Sequence, residues 1–161
     1  VIIGVEDTLE NKRTYAEIAN LGKMGRRAIR QAWFRLGIDL RQAASREILR
    51  KPKGGRTYWI RIKGGRRRRH VASAPKESHA NLRGRLRRSL SWKVHGADSM
   101  EFGYGVSTTA VNAMPRYGKY VEEGTTRMGE RPSIGNAVAA VGDRAGRHFV
   151  QAFEAERRRG R

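Results

Sequence analysis

Four histidines, two adjacent glutamates and a large stock of arginines are the residues with which this chain could do chemistry. His70, His79, His95 and His148 are scattered. None lies in a His-Glu-x-x-His arrangement and none has a second histidine four residues on, so the helical spacing that binds zinc is absent. Lone histidines of this kind read as structural or surface residues. Glu122 and Glu123 are neighbours, and adjacent side chains on a helix diverge by about 100°, so these two alone make no catalytic pair. Gly103-x-Gly105 falls inside a predicted strand rather than before a helix, which is the wrong context for a phosphate loop. No serine stands in a Gly-x-Ser-x-Gly elbow, and the carboxylate cluster needed for metal-assisted phosphodiester hydrolysis is missing. The expectation is a protein that is not an enzyme and uses neither cofactor nor metal.

What remains is positive charge. The 161 residues hold 35 Lys and Arg against 15 Asp and Glu, a formal net charge of +20. Such an excess opposes compaction and calls for a polyanion or a strongly acidic protein neighbour. Arg dominates the basic runs, and its planar fork suits recognition of phosphate or carboxylate more than mere solubility. The densest run is Arg66, Arg67, Arg68 and Arg69; Arg85, Arg87 and Arg88 form a second group. No helix-turn-helix or zinc finger accompanies them. Trp33, Trp59 and Trp92 sit in apolar patterns that read as core. Any DNA contact is therefore expected at phosphate, independent of sequence and strongly salt-dependent. The absence of cysteine excludes a disulfide framework and thiolate chemistry, and fits a reducing compartment. No apolar run approaches the ~18 residues of a membrane span, and no signal peptide is legible before the first helix.

The elements that must position these groups follow from periodicity. Val1 to Val5 reads as an edge strand, an arm on a neighbouring subunit, or a terminus packed on its own domain. A long helix is predicted over 10–50, with Thr14 and Glu17 at capping-box spacing and Leu21, Met24, Ala28, Ala32, Leu36, Leu40, Ala43 and Ile48 as its apolar stripe. From Thr14 to Arg50 it would span roughly 55 Å, so it either bends, with Gly22, Gly25 and Gly37 as candidate sites, or projects against neighbours. Residues 56–72 read as a β-hairpin turned at Gly64-Gly65. Four consecutive arginines in its return strand point alternately to both faces, so neither face can be buried without anions. A polar connector, Pro75 to Asn81, leads to the core hairpin of 89–106, where Leu90, Trp92 and Val94 alternate with polar residues on the first strand and Met100, Phe102, Tyr104 and Val106 alternate on the second. A last helix over 132–157 carries Ile134, Val138, Val141, Ala145, Phe149, Ala152 and Phe153 inward and most simply covers the sheet. The fold class is α+β: two long helices on a small antiparallel sheet with an extended basic hairpin, in one domain over 1–161.

One stretch is ordered in a way that composition does not require. Tyr117 to Pro132 reads YGKYVEEGTTRMGERP, with Tyr117, Tyr120 and Val121 at helical spacing, then Glu122, a turn at Gly124-Thr125, and Arg131-Pro132 opening the last helix. It resembles the Tyr-Ala-x-Tyr-Val-Glu-x-Gly-Thr … Arg-Pro segment of the neck, or tail-completion, proteins of tailed bacteriophages, including relatives of the lambda minor tail protein Z. Ala72 to Pro75 and Leu82 to Leu90 are similar to the same family's Ala-Pro … Thr-Gly-x-Leu-Arg-x-Ser segment, in the same order, with Arg83 where the family has Thr. The resemblance covers about residues 10 to 157.

It implies a virion protein at the head–tail junction, made in the host cytoplasm. Such a protein forms a homo-oligomeric ring, of six subunits, between portal-side head-completion proteins and the tail tube or tail terminator. Tyr117, Tyr120, Val121, Glu122, Gly124, Thr125, Arg131 and Pro132 would then be family-motif or subunit-interface residues, with Glu122 expected to pair with Arg131 or Arg87. Arg66–Arg69, Arg85, Arg87 and Arg88 would face the DNA channel or acidic partners. The competing reading is a free-standing, sequence-independent nucleic-acid-binding protein, which accounts for the charge but not for the ordered stretches.

Overall fold

The computed structural model describes residues 9–81, 83–96, 99–106 and 118–159, through the backbone alone for 9–15 and 17. Val1 to Val5 and Tyr117 lie outside the described residues. The first element, α1 (Leu9–Leu49), is a single helix of 41 residues, about 60 Å long at 1.5 Å per residue. It is already helical at Leu9, so Thr14 and Glu17 stand inside the helix and do not mark its start. Its stripe is as expected along most of its length: Ala28, Ala32, Leu36, Leu40, Ala43 and Ile48 are buried.

The last element, α4 (Ser133–Arg159), lies antiparallel along α1. Gln31 Nε2 donates to Glu156 Oε1 at 2.9 Å, His148 Nε2 meets Asp39 Oδ2 at 2.9 Å, and Trp33 stands edge-on to Phe149 at 4.9 Å. Low numbers on one helix thus face high numbers on the other. Expected mainly over the sheet, α4 pairs with α1 because Ala28, Ala32, Ala44, Ala137 and Ala152 are all buried and let the two backbones approach closely. Val138 and Phe153, expected inward, are exposed. Towards its N-terminus α1 outruns its partner, and Ile18 and Leu21 are exposed there.

The strands β3 (Leu90–His95) and β4 (Ser99–Tyr104) pair antiparallel as the expected hairpin, with Leu90 opposite Tyr104, Trp92 opposite Phe102 and Val94 opposite Met100. Partners directly opposite share a face, and this face rests on α1. Gly37 is the seat: a Cβ there would lie 2.5 Å from the Trp92 ring, so only glycine lets the indole sit on the helix. Leu90, Tyr104, Leu86, Leu36, Leu40, Ile48, Ala137 and Val141 close one core, to which both long helices contribute.

The strands β1 (Thr57–Arg61) and β2 (Arg67–Val71) form a separate two-stranded ribbon. Ile62 N–H donates to Arg66 O at 2.9 Å across a turn in which Gly64 and Gly65 both have positive φ. Two short helices complete the order: α2 (Arg85–Arg88) before β3 and α3 (Gly118–Glu123) before α4.

Candidate functional site

The start of α4 is held by residues from three other parts of the chain. The first amides of a helix have no partner within it, and here a carboxylate from α3 takes them. Glu122 Oε2 accepts from Ser133 N–H at 3.0 Å, and Oε1 accepts from Ile134 N–H at 2.6 Å and Gly135 N–H at 3.0 Å. A negative charge at this end also complements the helix dipole. The arginine partnership expected for Glu122 is replaced by these backbone amides. Arg131 instead donates its side chain to Ser73 O at 3.3 Å and Gly129 O at 3.4 Å, and its backbone amide to Val121 O at 2.9 Å. Gly124 makes the reversal between α3 and Arg131 at φ 80°, where a Cβ would lie 2.8 Å from Met128 O. Thr125 and Met128 bridge the turn that follows. Pro132 O accepts from Asn136 N–H, so the helix begins one residue after the proline.

A second layer sits behind this cap. Ser133 is wholly buried. Its Oγ accepts from His79 N–H at 3.2 Å and lies 2.8 Å from His79 Nδ1. Tyr104 Oη is 3.4 Å from both His79 Nδ1 and Glu122 Oε2. Burial drives the His79 pKa down to about 4, helped by the nearby cations Lys53 and Arg131, so the imidazole is neutral at pH 7 and shares one proton with the serine hydroxyl across the Nδ1–Oγ contact. Burial, with Glu122 beside it, pushes the Tyr104 phenol well above its ordinary range, which keeps it a donor to the carboxylate. Serine, histidine and glutamate are the types of a nucleophilic triad, yet Ser133 Oγ is sealed and Glu122 is spent on amides and Tyr104 rather than on the imidazole. The arrangement can hold two helices and a connector together; it cannot present a nucleophile.

The ribbon is the opposite kind of site, open on both faces. Arg66, Arg67, Arg68 and Arg69 are all exposed. Trp59, read from sequence as core, is 65% exposed. The reason is topological: among the described residues β1 pairs only with β2, in a two-stranded ribbon that leaves the indole open. Trp59 stands opposite Arg69, and Arg61 opposite Arg67, so one face carries an indole among three guanidinium groups. On the other face Tyr58 packs edge-on to His70 at 5.2 Å. The base of the ribbon is clamped by Lys53 Nζ donating to Glu47 O and Ser78 O, and by Glu77 accepting from Gly54 and Ala74 amides.

Two clefts flank that base and share His70, Ala80 and Asn81. One, of about 480 Å³, is lined by Tyr58, His79, Arg83, Arg85 and Arg131 among others. The other, of about 750 Å³, is lined by Arg50, Lys51, Lys53, Arg68 and Arg69. Among the described residues, neither has a carboxylate in its lining. The second arginine group is thus divided. Arg85 lines the first cleft, Arg88 is exposed with its guanidinium donating to Arg83 O at 3.3 Å, and Arg87 is half-buried with its Nε unpaired. Tyr120 is exposed, and Val121 packs against the core. His79, Ser133 and Tyr104 escaped the sequence reading because nothing local marks residues 79, 104 and 133 as neighbours. The exposure of Trp59 was masked by a strand pattern that looks the same whether or not a partner covers it.

Among the described residues, no cluster of three or more His, Asp or Glu is placed to hold a metal ion, and no helix is long and apolar enough to cross a membrane. Comparison with known proteins finds no match, whether to a family model, a curated protein or a solved structure.

Proposed function

We propose that this protein is a structural connector of a tailed-phage particle. In this reading it forms a ring, of six copies, at the head–tail junction, between portal-side head-completion proteins and the tail tube or terminator, and has no catalytic role. The observation that carries the proposal is the joint at the start of α4. Glu122, Gly124 and Arg131, three residues of the stretch similar to neck proteins, each have a specific architectural task there: capping the helix, reversing the chain and tying it back to Val121 and Ser73. A resemblance resting on fold-determining positions is worth more than the same letters spread over a surface.

Two further features suit a part that works by docking. The α1 overhang exposes Ile18 and Leu21, and the ribbon stands open on both faces. A closed ring of identical subunits needs two complementary patches on each, and these are the places to seek them. The test is the solution mass across a salt series, with and without nuclease. A discrete ring mass that survives nuclease supports the connector. A monomer whose nucleic-acid binding falls steeply with salt favours the second reading, a free-standing nucleic-acid-binding protein, to which the uncovered arginines of the ribbon lend support.

A further inference from the structure

We infer that the β1–β2 ribbon and the two clefts at its base form a track for single-stranded nucleic acid, with Trp59 as a base-stacking platform. The inference stands on the ribbon alone: a ring-forming connector and a free-standing protein could equally carry it.

Three observations point the same way. First, the cations form a path rather than a point. Arg83, Arg85 and Arg131 line one cleft, Arg50, Lys51, Arg68 and Arg69 line the other, His70 belongs to both, and among the described residues neither lining contains a carboxylate, although Arg50 stands 3.9 Å from Glu47. A lone phosphate would need two or three of these groups; a row of them fits a ligand whose negative charges repeat. Second, an indole stands in the open on the face of the ribbon opposite His70; it lines neither cleft, and Arg69 links it to the larger one. Trp59 faces Arg69, itself a lining residue of the larger cleft, with Arg61 and Arg67 on the same side of the ribbon. Exposing an indole to water is unfavourable, and its flat face suits any base. Third, the clefts, at about 480 and 750 Å³, are of the size that admits small molecules. A flexible strand can thread such openings. Duplex DNA, stiff over about 150 base pairs, cannot bend into them, and its bases reach Trp59 only after unstacking at a cost of a few kcal/mol.

The experiment uses the full chain and three probes: labelled oligo-dT, a duplex of the same length, and polyglutamate, a polyanion without bases. The track predicts that oligo-dT binds more tightly than the duplex and quenches tryptophan fluorescence. Trp59→Ala should weaken oligo-dT binding about tenfold, whereas Trp59→Phe should keep most of the affinity. Arg68→Ser with Arg69→Ser should lower the slope of log K against log salt by about 1.4, about 0.7 for each phosphate contact on a single strand. Trp59 is exposed, so these variants should fold, and an unchanged unfolding midpoint checks this. Equal or tighter duplex binding, Trp59→Ala without effect, or polyglutamate competing as well as oligo-dT would each overturn the inference; the last would point to an acidic protein partner instead.

Discussion

The Glu122 carboxylate and the Ile134 amide meet at 2.6 Å, so that a side chain of α3 caps the helix that follows it across residues 124–132. This bond and its neighbours to Ser133 and Gly135 make the cap a long-range contact, one that forms only when the turn at Gly124 has closed. Glu122→Gln keeps the shape but removes the charge and turns an NH₂ group towards amides that need an acceptor. The expected loss is about 1–3 kcal/mol of unfolding free energy, read by urea denaturation. Hydrogen exchange at residues 133–135 should accelerate with it. A variant as stable as the parent would show that the cap carries little.

The buried imidazole makes stability depend on pH. His79 titrates near 4 in the folded protein against an ordinary value of 6.5, so the folded state binds fewer protons than the unfolded state between these limits. Stability should therefore fall as pH drops from about 6.5 to about 4, by roughly 3 kcal/mol from this group. His79→Gln should be less stable at pH 7 and lose much of this slope. Glu77, whose carboxyl is held below its usual range by bonds from Gly54 and Ala74 amides, adds a further loss as pH falls below the ordinary value of 4.5.

The seat of Trp92 on Gly37 gives a prediction whose sign depends on background. Alanine is a better helix former than glycine by about 1 kcal/mol, so Gly37→Ala ought to stabilise α1. Its Cβ would stand 2.5 Å from the indole, and overpacking of this kind costs about 1–3 kcal/mol. The net expectation is destabilisation of about 1 kcal/mol with a shifted Trp92 emission. In a Trp92→Ala background the same change should become neutral or stabilising. An unchanged effect in both backgrounds would break the link between the two residues.

The helix pair should be intolerant of size where it is closest. Ala32 and Ala152 are fully buried within one cluster. Ala32→Leu should cost about 1–3 kcal/mol by forcing α1 and α4 apart, whereas Ala32→Ser, nearly the same size, should cost less. The thermal midpoints of the two variants separate a steric seam from a merely apolar one.

Much of the chain was legible because its signals are local. Thr57 to Val71 and Leu90 to Tyr104 alternate around glycine-bearing or polar turns, so both hairpins could be read from periodicity. The stripe from Ala28 to Ile48 showed the buried side of α1, and Arg131-Pro132 marked the start of α4. Alternation says which side chains share a face, and it is silent on whether anything covers that face. Trp59 and Trp92 sit in similar strand patterns, yet one meets water and the other meets Gly37.

The tertiary structure decided the rest. Glu122 could have met a guanidinium or a helix end; which one depended on how the chain turns at Gly124. His79 and Ser133 are 54 positions apart, too far for any local pattern to join them. The sequence alone determined the elements, the faces within them and the excess of positive charge, since these depend on neighbours along the chain. Folding alone determined which charges are spent on backbone amides and which stay free for a partner, because that depends on what lies alongside in space.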